Sequence, residues 1–240
     1  MKSWAKTDIG RLRKSNQDSV FATDQKIGSL SNLYIVADGM GGHNAGDFAS
    51  KFTIETVTHE IEHSEEESPI RCIANAIRIA NQKLIETASS SVVLEGMGTT
   101  IVVATVVEDH LYVANVGDSR LYRIKNVIQQ ITRDHSWVEE MVLRGEMTHE
   151  QARVHPDKNI ITRAVGAMDR ILIDFFDLEL NQGDFFLMCS DGLSNMVEDQ
   201  QMLEVVSRDL TVEEKAKILI DMANEQGGRD NISVILAEYE

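Results

Sequence analysis

The sequence predicts an α+β fold, a sandwich of antiparallel sheets with helices outside. Three features predict it: apolar strand-like runs that fall in adjacent pairs, two long amphipathic helical patterns set between such runs, and a second pair of helical segments near the C-terminus. Residues 33–37, 99–107, 111–116, 121–125, 185–189 and 232–237 are rich in β-branched or aromatic side chains and are bounded by turn residues, the signature of strands. A helix is predicted after Asp47 with Phe48, Phe52 and Val57 turned inward. A second follows from Ile70, Ile73, Ile77, Ala80 and Leu84 on one face, and a third from Val212, Ala216, Leu219 and Ala223. Residues 136–159 look like an insertion of short helices interrupted by Gly145 and Pro156.

The 240 residues suffice for a large core in one domain, and no repeat, linker or low-complexity tract divides them. With 42% hydrophobic residues, 26% charged residues and only 2 Pro, the composition is that of a globular chain. A formal net charge of −16 repels polyphosphate backbones and anionic lipid, which argues against nucleic-acid or membrane-surface binding as the main function. Cys72 and Cys189 lack metal-ligand spacing and are expected to be buried thiols in a reducing compartment. The opening Met1-Lys2-Ser3-Trp4-Ala5-Lys6-Thr7-Asp8 has no apolar signal core and the longest apolar run is short, so a cytoplasmic location is the expectation.

Chemistry concentrates where strands end. The run 33–37 leads into Asp38-Gly39, the run 185–189 into Ser190-Asp191-Gly192, and the run 111–116 into Gly117-Asp118, while the last strand begins right after Asp230-Asn231. A single Asp-Gly is a hairpin signal, but acids repeated at the points where strands leave a core form a ligand set. Glycine beside the first three lets the backbone approach a ligand, and oxygen donors without clustered Cys or His select hard cations such as Mg²⁺ or Mn²⁺ over zinc. Asp38-Gly39-Met40-Gly41-Gly42-His43 is a glycine-rich turn ahead of a helix, able to aim backbone N–H groups at an anion, although it lacks the Lys-Ser/Thr of a Walker loop. Arg11, Arg13 and Lys14 precede Asn16-Gln17-Asp18, and an arginine fork there matches two phosphate oxygens.

Together, Thr7-Asp8-Ile9-Gly10 with Arg13 and Asn16-Gln17-Asp18, the Asp38 to His43 turn, Gly98-Thr99-Thr100, Gly117-Asp118-Ser119-Arg120, Asp134-His135-Ser136, Thr162-Arg163-Ala164-Val165-Gly166, Ser190-Asp191-Gly192-Leu193 and Gly228-Arg229-Asp230-Asn231 resemble the metal-dependent protein phosphatases. The resemblance is to the type 2C serine/threonine class, its short bacterial members in particular, and covers nearly the whole chain.

That resemblance implies a four-layer α-β-β-α sandwich formed by residues 1–240 as a single domain, with a flap at about 136–159 beside the active site. It implies that Asp38 bridges two Mn²⁺ or Mg²⁺ ions, that the Gly39 carbonyl holds one of them, that Asp191 and Asp230 hold the other, and that Asp118 joins Asp191 at a third, weaker ion. Water or hydroxide bridging the two core ions would then attack phosphorus in line, with Arg13 binding the phosphoryl group and Asp18 orienting water from the outer shell. Eukaryotic relatives often carry a proton-donating His where this chain has Met40, which makes His43 a candidate general acid. The implied partners are phosphorylated proteins, with a bacterial serine/threonine kinase as functional opposite and a monomer as the default state. Two other readings stand beside this one: a catalytically silent phosphoprotein-binding regulator, and a two-metal hydrolase of nucleotides or small phosphate esters.

Overall fold

The computed structural model describes residues 1–42 and 45–240. His43 therefore lies outside the described residues.

Two antiparallel sheets face each other. The first contains β1 (Lys2–Asp8), β7 (Arg120–Ile124), β8 (Ile128–Gln130), β10 (Phe185–Cys189) and β11 (Ile232–Glu238), in the order β1-β11-β10-β7-β8. The second contains β2 (Asp18–Thr23), β3 (Leu33–Met40), β5 (Ile101–Val107), β6 (His110–Val116) and β9 (Asp174–Glu179), in that order, with the short β4 (Gly98–Thr99) paired to β3. Helices α1 (Ala45–Glu62) and α2 (Pro69–Ser89) cover the second sheet, and α5 (Asp191–Ser194), α6 (Asp199–Val206) and α7 (Val212–Glu225) cover the first. Between β8 and β9 lie α3 (Trp137–Leu143) and α4 (His149–Val154). The four-layer α-β-β-α arrangement is thus present.

The central strands are apolar on both faces because each is covered twice. In β3, Leu33, Ile35 and Ala37 pack against α1 and α2, while Tyr34 and Val36 meet the other sheet. In β10, Leu187 and Cys189 face α5 to α7, and Phe186 and Met188 face inward. The rings of Tyr34 and Phe186 meet edge-on across the sheets at 5.1 Å. Full burial of such side chains contributes roughly 1.5–3 kcal/mol each, enough to set the register without alternation of polar and apolar residues. Cys72 and Cys189 are free and buried, as expected from the sequence.

Helix termini follow their side chains. Thr211 caps α7 and Glu214 returns the bond, and Thr148 and Gln151 do the same for α4. Ser136 caps α3, so the 136–159 segment holds two short helices around Gly145. Helix α1 departs from the expected facing at one position: Val57 is buried and Phe52 packs partly buried against the core, but Phe48 is 37% exposed and stacks on Phe52, centroids 5.4 Å apart. The inward positions are taken by Ala45, Ala49, Ile54 and Ile61, small or branched side chains that let α1 lie close to β3.

That close approach fixes Gly39. A Cβ there would sit 1.9 Å from the Gly46 carbonyl oxygen in the first turn of α1 and 2.7 Å from the Gln17 carbonyl oxygen. Gly39→Ala is expected to destabilise the protein by about 2 kcal/mol or more, since backbone on both sides must move; urea unfolding that shows no loss would contradict the packing.

Candidate active site

The site forms at one edge between the sheets, where β3, β6 and β10 end and β11 begins. Asp18 and Asp38 sit opposite one another in the β2–β3 register. Asp18 also reaches across to the first sheet, where its Oδ2 accepts from Ser190 Oγ at 2.7 Å, and Ser190 Oγ in turn accepts from the Ser233 N–H at 3.0 Å. The Asp38 peptide is fixed on both sides: its N–H donates to Thr100 Oγ1 at 3.0 Å, and its carbonyl accepts from the Thr100 N–H and from Thr99 Oγ1, both at 2.9 Å. Thr100 Oγ1 and Ser119 Oγ are 2.8 Å apart, which links this strand to the Gly117–Asp118 turn.

The loop carrying Arg13 is pinned to the segment before β11. Arg11 and Leu12 donate their N–H groups to the Gly228 carbonyl, and Asn231 Nδ2 donates to the carbonyls of Ile9 and Ser15 at 2.9 and 3.0 Å. Asn231 Oδ1 accepts from the Gln17 N–H at 2.8 Å. Arg13 Nη2 consequently meets Asp230 Oδ2 at 2.5 Å, half exposed at the mouth of the site.

Electrostatics show what the arrangement lacks by itself. Burial and the charges of Asp18, Asp191, Asp118 and Asp230 hold the Asp38 carboxyl well above the ordinary range. Burial, then Asp118, Asp230 and Asp18, do the same to Asp191. Burial and Asp134 push Asp118 up to about 7, and burial raises Asp18 to about 6 despite the hydrogen bonds that favour its ionised form. Asp18 Oδ1 and Asp191 Oδ1 are buried with no hydrogen-bond partner. Crowded carboxylates with orphaned oxygens fit divalent cations of the hard class, which would supply both the missing partners and the missing charge. Among the described residues no three carboxylate, imidazole or thiolate groups are gathered tightly enough to enclose an ion by themselves.

The insertion reaches the site from one side. Lys158 Nζ donates to Asn195 Oδ1 at 2.8 Å, and Asn195 Nδ2 donates to Asp191 Oδ2 at 2.9 Å. A cleft of about 680 Å³ runs from Asp118 and Asp191 between α4 and α6, past Arg120, Arg153 and Glu198.

The structure therefore brings Asp18, Asp38, Asp118 and Asp191 together and sets Arg13 on Asp230 at their rim. Sequence reading missed Ser190, Asn195 and Asn231 as the side chains that hold these acids and their loop. Asn195 stands four residues after Asp191, a spacing that faces the two together on a helical turn and was readable in advance.

Comparison with known proteins shows the family and agrees with the fold. The family model described as protein phosphatase 2C matches residues 11–232, and the chain belongs to that family, whose members use divalent metals. Among its relatives is the serine/threonine phosphatase stp of Listeria monocytogenes, 40% identical over 98% of this chain and 94% of its own length. The crystal structure of the serine/threonine phosphatase Stp1 from Staphylococcus aureus superposes with a TM-score of 0.93 at 36% identity, covering 100% of this chain and 95% of that one. The catalytic domain of the serine/threonine protein phosphatase PstP, solved in complex with 2 manganese ions, gives a TM-score of 0.88 at 33% identity over 99% of this chain and 97% of its own. Among the described residues no helix is long and apolar enough to cross a membrane.

Proposed function

We propose that this chain hydrolyses phosphoserine and phosphothreonine in proteins with the help of two divalent ions, Mn²⁺ or Mg²⁺, and a weaker third. The observation that carries the reading is the convergence of Asp18, Asp38, Asp118 and Asp191, from both sheets, beside an arginine at the mouth. Asp38 with the Gly39 carbonyl would hold one ion, Asp38 with Asp191 and Asp230 the second, and Asp118 with Asp191 the third. Such ions supply Lewis acidity and make water a nucleophile near neutral pH. The residues of the chain do the rest. Arg13 turns its guanidinium from Asp230 to the phosphoryl oxygens and offsets the charge that grows on them. Asp18, held by Ser190, accepts a hydrogen bond from solvent and orients it. His43 is retained as the candidate proton donor to the leaving oxygen, in place of Met40.

Support for the substrate class comes from relatives named as serine/threonine phosphatases over almost their full length. Residues 1–240 act as one domain in this reading, as a cytoplasmic monomer opposing a serine/threonine kinase. Phosphoserine, phosphothreonine and phosphotyrosine peptides assayed with Mn²⁺ and with chelator test it. Release of phosphate from the first two, abolished by chelation, is expected; faster turnover of nucleotides or small esters, or no turnover at all, would overturn it.

Arg13→Ala is expected to lower kcat/KM on a phosphothreonine peptide by about 10²-fold, and Arg13→Lys to recover only part, because an ammonium cannot reproduce the two-pronged fork. Rates equal to the parent's in both variants would remove Arg13 from the site. The 136–159 flap is proposed to select substrates. Its deletion should reduce activity on phosphoproteins several times more than on an aryl phosphate, and equal losses on both would leave it a structural part only.

A further inference from the structure

We propose that His135 is a positioning residue that clasps the Gly117–Asp118 turn and ties it to both roots of the flap, so that the placement of Asp118 follows the flap. His135 is 5% exposed and holds one glycine residue from two sides, once with its ring and once with its backbone. The Gly117 N–H donates to His135 Nδ1 at 3.0 Å, and the His135 N–H donates to the Gly117 carbonyl at 3.0 Å. Asn115 Nδ2 adds a donor to the same carbonyl at 3.3 Å. Gly117 has φ +110° and a Cβ there would lie 2.6 Å from the Thr100 side chain, so this turn cannot relax toward another backbone shape without losing its place beside β5.

The other edge of the ring faces the flap. Acceptance at Nδ1 puts the ring proton on Nε2, which points at Asp174 Oδ2 at 3.1 Å. Asp174 Oδ1 accepts from Arg163 Nη1 at 2.7 Å. The Thr162 N–H donates to the His135 carbonyl at 2.8 Å, and Ser136 bridges Ile161. The ring thus touches the turn that presents Asp118 and, at Nε2, both Asp174 and Arg163 Nη1 at 3.1 Å beyond the exit of the flap, while the backbone of His135 and Ser136 joins the flap's entry to its exit. Burial holds this imidazole below its ordinary pKa, and the neutral form is the one that can accept from Gly117. A residue that merely filled the space could not accept that N–H.

The consequence for metal use rests on Asp118 being a ligand, as proposed above; the clasp itself does not. The full chain is compared with His135→Ala, His135→Asn and His135→Gln by two measurements. One is amide hydrogen exchange at Gly117 in Mg²⁺, read by NMR; the other is the Mn²⁺ concentration that half-saturates hydrolysis of a phosphothreonine peptide. Asn places an acceptor oxygen where Nδ1 was, whereas Gln reaches Asp174 and not Gly117. Ala and Gln are expected to speed Gly117 exchange by about ten-fold and to raise the half-saturating Mn²⁺ by about ten-fold or more, with peptide KM little changed. Asn should stay within about three-fold of the parent on both. Unchanged Gly117 exchange in the Ala variant, or Asn and Gln behaving alike, would overturn the clasp, and the Asn and Gln pair decides the matter even if Ala fails to fold. Faster Gly117 exchange in Ala and Gln together with a parent protein that has no Mn²⁺-dependent activity would support the clasp and sink the proposed function instead.

Discussion

Asp38→Asn is expected to cut kcat on a phosphothreonine peptide by about 10³-fold or more and, at the same time, to raise the melting temperature of the chelated protein by a few degrees. The two signs have one cause. Asp38 lies among Asp18, Asp191, Asp118 and Asp230, whose charges hold its carboxyl well above the ordinary range. Without cations that crowding opposes folding, and an amide of the same shape removes one charge while keeping the Thr99 and Thr100 hydrogen bonds to the Asp38 backbone. Partial exposure of the side chain limits the gain, and at about 2–4 °C per kcal/mol for a chain of this size a modest relief is still measurable by calorimetry. With cations the same carboxylate is the shared ligand of the proposed centre, so its loss removes the chemistry. A variant that stays active, or one that melts lower in chelator, would mean that Asp38 is a structural acid.

The second large effect is on stability against pH, and it should change sign with metal. Asp118 at about 7 and Asp18 at about 6 bind protons more tightly in the folded chain than in the unfolded one, as do Asp38 and Asp191. Their contribution to stability is fully present below about pH 4 and is lost as pH rises through 6 to 7. For Asp118 alone the loss is on the order of 4 kcal/mol by linkage, before any sharing among the coupled acids. Chelated protein should therefore melt higher at pH 5 than at pH 8. Saturating Mn²⁺ should reverse the order, because ionised ligands bind it and each of two core ions at about a thousand times Kd adds roughly 4.1 kcal/mol. His135 opposes the first trend, since burial lowers its pKa and acid destabilises it. Asp118→Asn separates the two contributions: it should flatten the fall between pH 5 and 8 in chelator and leave the acid limb intact. A chelated parent and Asp118→Asn with the same pH profile would rule out the crowded acids as the cause.

The apolar strands were legible in the sequence because they are buried on both faces. Residues 185–189 coincide with β10, and 33–37, 111–116 and 232–237 lie within β3, β6 and β11. Strands at or near sheet edges were not legible. β1 reads Lys-Ser-Trp-Ala-Lys-Thr-Asp and β9 reads Asp-Phe-Phe-Asp-Leu-Glu, half-polar segments whose pairing is decided by partners far away in the chain. Phe48 was misjudged for a related reason: a large apolar side chain is a poorer guide to the inner face of a helix than the small residues that permit close approach to a sheet. The acids were legible at strand ends, and the resemblance placed them. Of the groups that fix them only Asn195 leaves a periodic trace, four residues after Asp191, whereas Ser190 and Asn231 act through hydrogen bonds to segments far away in the chain.

Strand β11 lies between β1 and β10, so the sheet that supplies Asp191 is not closed until the segment 230–238 has been made. On a ribosome the nascent chain would carry most of its acids long before they can be drawn together, and the closing step joins residues more than two hundred positions apart. In such a chain the acids are assembled late and together, because the last strand made is the one that seats Asp230 beside the others.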